Sequence, residues 1–209
     1  GISKNIMAEV AAHIEINMCK QPIGKQDQYA AACGGLNLYE FDSSGVSITP
    51  SSELFSPSTI HELESNLICF NTGMTRRASV ILSKQVEGLK KGTNIDVTKS
   101  LVDITAQSVE LLKRGRVDDF GSLLDASWNT KKKIVSGIIN PYIDEIYSIG
   151  MKAGALGGKL LGAGGGGYML FYVPLASRTC VINAIGAVSE EYKEFPFKFD
   201  TQGSTVTII

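Results

Sequence analysis

Lys159–Gly167, KLLGAGGGG, runs straight into Tyr168–Val173, YMLFYV. Five of the six residues from Gly162 to Gly167 are glycine. Glycine loses more backbone freedom on ordering than any other residue, so a cluster of it marks a place where a side chain is not tolerated. The usual reason is a close approach of backbone N–H groups to an anion, most often phosphate. A tight hairpin turn is the plainer alternative, and it needs only one or two glycines. The run Gly162, Ala163, Gly164, Gly165, Gly166, Gly167 therefore reads as a phosphate-side loop between two strands.

Gly162, Gly164 and Gly167 satisfy G-x-G-x-x-G, but a dinucleotide fold needs a helix to open at the last glycine. Here an apolar, aromatic strand follows, and no acid stands about 20 positions on at a strand end. No G-x-x-x-x-G-K-[ST] occurs anywhere. Both common nucleotide fingerprints are excluded.

Two other stretches stand out. Pro22–Asn37 reads PIGKQDQYAAACGGLN: a Gly-containing turn, the acid Asp27, a small-residue helix turn, then Gly34-Gly35. Asn71–Leu82 reads NTGMTRRASVIL, a strand end leading through Thr72-Gly73 into a helix. Together with the glycine run they resemble the GHMP small-molecule kinase superfamily, and GKQDQYAAA followed by GG is similar to its heptose 7-phosphate kinase and fucokinase branch. The resemblance runs from about Ile2 to the C-terminus. It implies an α+β chain built from the end of a GHMP kinase N-terminal domain, residues 1–56, and a ferredoxin-like α/β sandwich C-terminal domain, residues 57–209. It also implies phosphorylation of a sugar or sugar-phosphate hydroxyl, with ATP and Mg²⁺ as cofactors and heptose 7-phosphate as the leading substrate.

Such kinases carry an upstream P-x-G-x-G-L-G-S-S-A type loop around the ATP phosphates, and nothing like it occurs in this sequence. The expectation is a C-terminal part that is a poor kinase by itself, or none. Two alternatives stay open: a non-catalytic sugar sensor on the same scaffold, and a GHMP kinase for a non-sugar alcohol.

Asp27 is the candidate catalytic base, because phosphorylating a hydroxyl needs a group that accepts or orients its proton. Lys25 offers a way to keep that carboxylate ionised. The plainer reading of Asp27 is a first-turn acid on the following helix. Gln26 and Gln28 flank it and suit sugar hydroxyls. The resemblance implies substrate contacts at Gly24, Lys25, Gln28, Gly34, Gly35, Thr72, Gly73 and Arg76, although Gly34 also reads as an ordinary helix C-cap. Glu15, near the end of the first helix, is the Mg²⁺ candidate, with Glu9 as its competitor; one carboxylate plus phosphate oxygens suffices for that ion. The resemblance implies that Lys159 can point into the cleft beside the glycine run, the plainer reading being a solvated strand lysine, and the run Lys131-Lys132-Lys133 reads as a helix-end feature favoured by the dipole.

The chain's 209 residues, 44% hydrophobic and 20% charged, suit a globular protein with a substantial core. A formal net charge of −1 gives no electrostatic case for nucleic acid or anionic membrane. No apolar run reaches membrane-span length, and four scattered cysteines with two histidines form no metal-ligand pattern. Reduced thiols and the lack of a signal peptide point to the cytoplasm. The partner expected is a small sugar or sugar phosphate; oligomeric state is not legible.

The order of elements is also readable. Ser3 or Asn5 caps a helix with Ile6, Val10 and Ile14 along one face. Strands follow at 36–41 and 46–49, a linker at 50–57, and a buried strand at 67–70. Helices are expected at 75–89, 97–112, 117–128 and from Pro141, then the two strands around the glycine run. A helix at 177–192 and strands at 195–199 and 204–209 close the chain.

Overall fold

The computed structural model describes residues 2–73, 78–134, 141–162, 167–189 and 192–205. The chain divides into two compact units, Gly1–Phe55 with Lys198–Ile209, and Ser56–Phe197. The last dozen residues therefore cluster with the first unit, whereas the sequence reading kept 57–209 together.

In the first unit, α1 (Lys4–Ala12) starts at Ser3, whose hydroxyl accepts from the Ile6 N–H at 3.3 Å. A wider π-helical turn, His13–Met18, prolongs it. The expected period is present but its phase is reversed: Ile6 and Val10 are 56% and 52% exposed, while Ala8 and Ala12 are 0% and 1% exposed. Small residues let α1 lie close to α2 (Gln26–Cys33), where Ala8 packs with Tyr29 and Ala32. Ile6 and Val10 are left on its outer side, while Met7 packs beside the Ala8 cluster.

The strands β1 (Asn37–Asp42) and β2 (Gly45–Pro50) pair antiparallel across the two-residue loop Ser43-Ser44. The Asp42 carboxylate accepts from the N–H groups of Ser44 and Gly45, which closes the turn. Tyr39 and Phe41 present ring edges to Tyr29, at 6.3 and 5.7 Å between centroids. The chain's end returns to this unit. Asp200 accepts from the Gly35 N–H, Ser204 N–H donates to the Ala31 carbonyl at 3.1 Å, and Lys4 caps the Cys33 carbonyl at 2.8 Å.

A short helix, α3 (Ser51–Leu54), lies in the expected linker. The second unit opens with α4 (Pro57–Asn66), capped by Ser56 with Pro57 at its first position. Four antiparallel strands follow: β3 (Leu67–Asn71), β4 (Gly157–Leu160), β5 (Tyr168–Tyr172) and β6 (Glu194–Phe195), in the order β4-β5-β3-β6. Alternate residues Ile68, Phe70, Leu160, Met169 and Phe171 form one face of the sheet, almost wholly buried. Against it pack Ile143, Ile146 and Tyr147 of α8 (Pro141–Lys152) and Val181 and Ile185 of α9 (Arg178–Gly186). An added Cβ at Gly150 or Gly158 would stand 2.6 Å from the Phe171 ring, so both glycines make room for that side chain.

Three more helices complete the unit: α5 (Ala78–Lys90), α6 (Ile95–Lys113) and α7 (Val117–Lys131). Tyr172 on β5 ties two helices to the sheet. Its hydroxyl donates to Asp118 of α7 and accepts from the Asn66 amide of α4, each at 2.7 Å.

Two expected elements come out shorter. The last helix ends at Gly186, not near Tyr192. The strand expected over 195–199 is only Glu194–Phe195, because Pro196 has no N–H for a further rung. Ser204 and Thr205 are not in a strand, and 206–209 lie outside the described residues. Residues 75–77 of the expected helix start also lie outside them.

Candidate functional site

The expected site residues fall on both units. In the first, Asp27 occupies the first turn of α2 and is exposed, so its carboxylate is available to a ligand and favourably placed toward the helix dipole. Lys25 does not attend to it. The Lys25 ammonium donates to both oxygens of Glu9 at 2.9 and 3.0 Å, and the Tyr29 hydroxyl donates to Glu9 at 2.6 Å. These contacts hold the Glu9 carboxyl below the usual carboxylate range, the Tyr29 bond being the larger cause and Lys25 the next. Burial first, and then Glu9, push the Tyr29 phenol up to about 12.

Of the two glutamines, Gln26 is exposed and Gln28 is buried. The Gln28 Oε1 has no donor among the described residues, which leaves a buried acceptor one position from Asp27. Gly24 is exposed with nothing within 4 Å of an added Cβ. The pair Gly34-Gly35 has left-handed backbone at both residues, with φ of 67° and 73°. At Gly34 the close neighbour is the chain itself: an added Cβ would sit 2.8 Å from the Asp200 carbonyl oxygen and from the Gly203 Cα. Here the plainer helix-end reading accounts for the glycine, with Gly34 as the residue that ends α2.

Glu15 is exposed on the π-helical turn, while its competitor Glu9 is occupied by Lys25 and Tyr29. Among the described residues no group of three or more His, Cys, Asp or Glu could hold a metal ion. Mg²⁺ keeps most of its waters and is usually held by one or two carboxylates plus phosphate oxygens. An exposed single carboxylate fits an ion carried in by a nucleotide and does not fit a resident metal cage.

In the second unit the glycine run joins β4 to β5, as the strand pattern predicts. Its ends, Gly162 and Gly167, both have positive φ, 76° and 109°. Ala163, Gly164, Gly165 and Gly166 lie outside the described residues, as do Met74 and Arg76. Thr72 is 2% exposed, and its hydroxyl serves the run: it donates to the Gly167 carbonyl at 2.8 Å and accepts from the Gly167 N–H at 3.1 Å. Gly73, with φ of 65°, donates its N–H to the Asn71 side chain at 2.9 Å.

Sequence reasoning missed the role of Lys131 and left Lys159 between two readings. Lys131 is not merely a helix-end cation: its ammonium donates to the Gly162 carbonyl at 2.7 Å. Lys159 is half-buried on β4 opposite Leu170, and burial pulls its ammonium below the usual lysine value. Neither role has a local signature, since each depends on which element lies alongside. Lys132, in the same basic run, sits 5.9 and 5.5 Å from the ring centres of Trp128 and Tyr147.

Residues 108–194 match the family model of GHMP kinases C terminal. The chain is 35% identical over 182 residues to D-glycero-alpha-D-manno-heptose 7-phosphate kinase of Campylobacter jejuni, covering 83% of this chain and 51% of the relative. It is 29% identical over 147 residues to the bifunctional fucokinase/GDP-fucose pyrophosphorylase of Arabidopsis thaliana, covering 69% of this chain and 14% of the relative. Among solved structures, a D-glycero-D-manno-heptose 1-phosphate kinase of Bacteroides thetaiotaomicron is similar with a TM-score of 0.69 and 25% identity, over 95% of this chain and 53% of that one. The chain thus spans about half the length of the heptose kinases it matches. No helix among the described residues is long and apolar enough to cross a membrane.

Proposed function

We propose that this chain, whose residues 108–194 match the C-terminal family of GHMP kinases, serves an enzyme that transfers the γ-phosphate of ATP to a hydroxyl of a sugar or sugar phosphate. The observation that carries the reading is the likeness, 35% identity over 182 residues and 83% of this chain, to a heptose 7-phosphate kinase. Heptose 7-phosphate is accordingly the leading substrate.

Phosphoryl transfer rests on positioning and charge stabilisation. Asp27, exposed on the first turn of α2, accepts or orients the proton of the attacking hydroxyl. Gly24, Lys25, Gly35 and Gln28 contribute the sugar side, with the unpaired Gln28 carbonyl suited to receive a donor. Arg76 or Arg77 is the candidate for a phosphate already on the substrate. Gly162 to Gly167 frame the transferred phosphate, and Glu15 holds Mg²⁺ brought in with ATP.

The test is ADP release dependent on Mg²⁺ and ATP with heptose 7-phosphate, fucose, galactose and mevalonate, alongside sugar-phosphate binding by calorimetry. Binding or turnover selective for heptose 7-phosphate, with any turnover falling by about 10²-fold or more in Asp27→Asn, supports the reading. Turnover that survives Asp27→Asn removes Asp27 as the base. A response to mevalonate and to no sugar replaces the substrate class, and absence of both binding and turnover overturns the proposal for this chain.

A further inference from the structure

We infer that Glu9 is a positioning residue for Asp27, bracing from α1 the helix turn that presents this carboxylate; the role rests on the function proposed above. The two ends of α2 are secured unequally. At its C-terminal end every carbonyl from Ala30 to Cys33 has a donor. The Gly34 N–H reaches Ala30 at 3.0 Å, the Ser204 N–H reaches Ala31 and Ala32 at 3.1 and 3.2 Å, and the Lys4 ammonium reaches Cys33 at 2.8 Å. At its N-terminal end the capping position is Lys25, whose side chain makes no capping bond and carries no acceptor to make one. Ser, Thr, Asp or Asn normally stands there, and a helix of only 8 residues frays without one. Asp27 lies in that uncapped first turn.

Glu9 supplies the missing restraint from outside the helix. Its carboxylate accepts two bonds from the Lys25 ammonium, at 2.9 and 3.0 Å, and one from the Tyr29 hydroxyl at 2.6 Å. Lys25 and Tyr29 stand two residues before and two residues after Asp27, so one acid grips the turn on both sides of it. The same two residues close the turn through the backbone, where the Tyr29 N–H donates to the Lys25 carbonyl at 3.2 Å.

Glu9 is well placed to act as a brace because its neighbour Ala8 is buried in a cluster with Tyr29 and Ala32. The Lys25–Glu9 pair is nearly half exposed, so solvent screens it, and the part-buried Tyr29 bond carries more of the restraint. A general base works only when it is held to within about 0.5 Å of its productive place. Glu9 therefore acts on the reaction through the turn and not by touching the sugar.

The experiment uses the full chain and two readouts, one of which needs no ligand. Hydrogen exchange of the Tyr29 amide reports the bond that closes the first turn. It is expected to quicken about tenfold in Glu9→Met, the effect of losing a cap, while the Gly34 amide at the other end stays as in wild type. Glu9→Gln, which keeps an acceptor, should recover much of the protection, and Tyr29→Phe should show a smaller version of the loss. Heptose 7-phosphate binding is then measured by calorimetry where urea unfolding shows every variant folded. Affinity should fall about tenfold in Glu9→Met and be largely restored in Glu9→Gln. A residue that only adds stability leaves the affinity of an already folded protein untouched. Asp42→Ala, which opens the β1–β2 turn of the same unit, is the control and should bind as wild type does.

Unchanged Tyr29 exchange in Glu9→Met overturns the brace. Quickened exchange with wild-type affinity, or an equal loss of affinity in Asp42→Ala, overturns the positioning role. If the wild-type chain does not bind heptose 7-phosphate at all, the proposed function fails and takes the positioning role with it. The ligand-free exchange result then shows that the failure lies with the function and not with the brace.

Discussion

The Tyr29 phenol and the Glu9 carboxylate share a hydrogen bond of 2.6 Å, with Lys25 donating to the same carboxylate at 2.9 Å. One acid thus joins α1 to the turn that precedes Asp27 and to the first turns of α2. The bond has opposite effects on the two partners' proton affinities, and each effect has its own pH window.

On the acid side, the folded value of Glu9 lies below its unfolded value. Its contribution to stability is therefore complete above the unfolded value of about 4.3 and is lost as pH falls through the folded one. Urea unfolding followed across pH should show Glu9→Gln less stable than wild type at neutral pH, with the gap closing below about pH 4. A gap that persists unchanged into acid would mean that the carboxylate is not the source.

On the alkaline side, Tyr29 is pushed up to about 12, and burial raises Tyr147 and Tyr172 further, helped by Asp125 and Asp118. Raised phenols favour the folded state fully below the unfolded value of about 10, and that advantage disappears as pH climbs through their folded values. Tyrosinate absorbance should show these phenols ionising late in the native protein and at ordinary values in urea. Tyr147→Phe should remove one late phenol.

Gly34 and Gly203 hold each other's backbone at close range. An added Cβ on Gly203 would stand 2.6 Å from the Gly34 nitrogen, and one on Gly34 2.8 Å from the Gly203 Cα. Gly34→Ala and Gly203→Ala should each cost about 2 kcal/mol or more, combining a positive φ with a backbone collision. Gly35→Ala has the same sign of φ but nothing within 4 Å, so about 1 kcal/mol is expected. Chemical denaturation of the three variants checks the ranking.

Ile6 and Val10 on α1 are exposed, and Ala8 is buried. Ile6→Ser with Val10→Ser should leave stability within about 0.5 kcal/mol of wild type while lowering binding of an apolar dye. Ala8→Leu, with no room to enlarge, should cost about 1–3 kcal/mol. Stability lost equally in both variants would place the outer stripe in the core.

The pattern of α1 shows how far sequence reading reaches. Its period and its Ser3 cap were legible because both are local. Its phase was not, because Ala8 is placed for closeness to α2 and carries little hydrophobic signal of its own. The strand Tyr168–Tyr172 announced itself by composition, whereas the brevity of β6 followed from Pro196, a cue present in the sequence but underweighted. At the candidate site, Gly34 reads equally as room for a ligand and as a helix end, and only the folded chain shows residue 203 beside it. Lys131 and Thr72 were beyond reach for a different reason: their partners lie 31 and 95 positions away, and only tertiary structure brings them together.

The return of Lys198–Ile209 to the unit formed by Gly1–Phe55 has a consequence in time. During synthesis, the segment up to Phe55 leaves the ribosome before Asp200 and Ser204, which supply closing contacts to its helix pair and hairpin. Those contacts arrive only after the whole intervening unit has been made, so the earlier-made of the two units is finished after the later one. Ser56–Phe197 is continuous and can condense as it emerges, while its predecessor waits with a seam open. Ribosome-stalled chains ending just before and just after residue 204 would show that difference as protease sensitivity of the N-terminal segment.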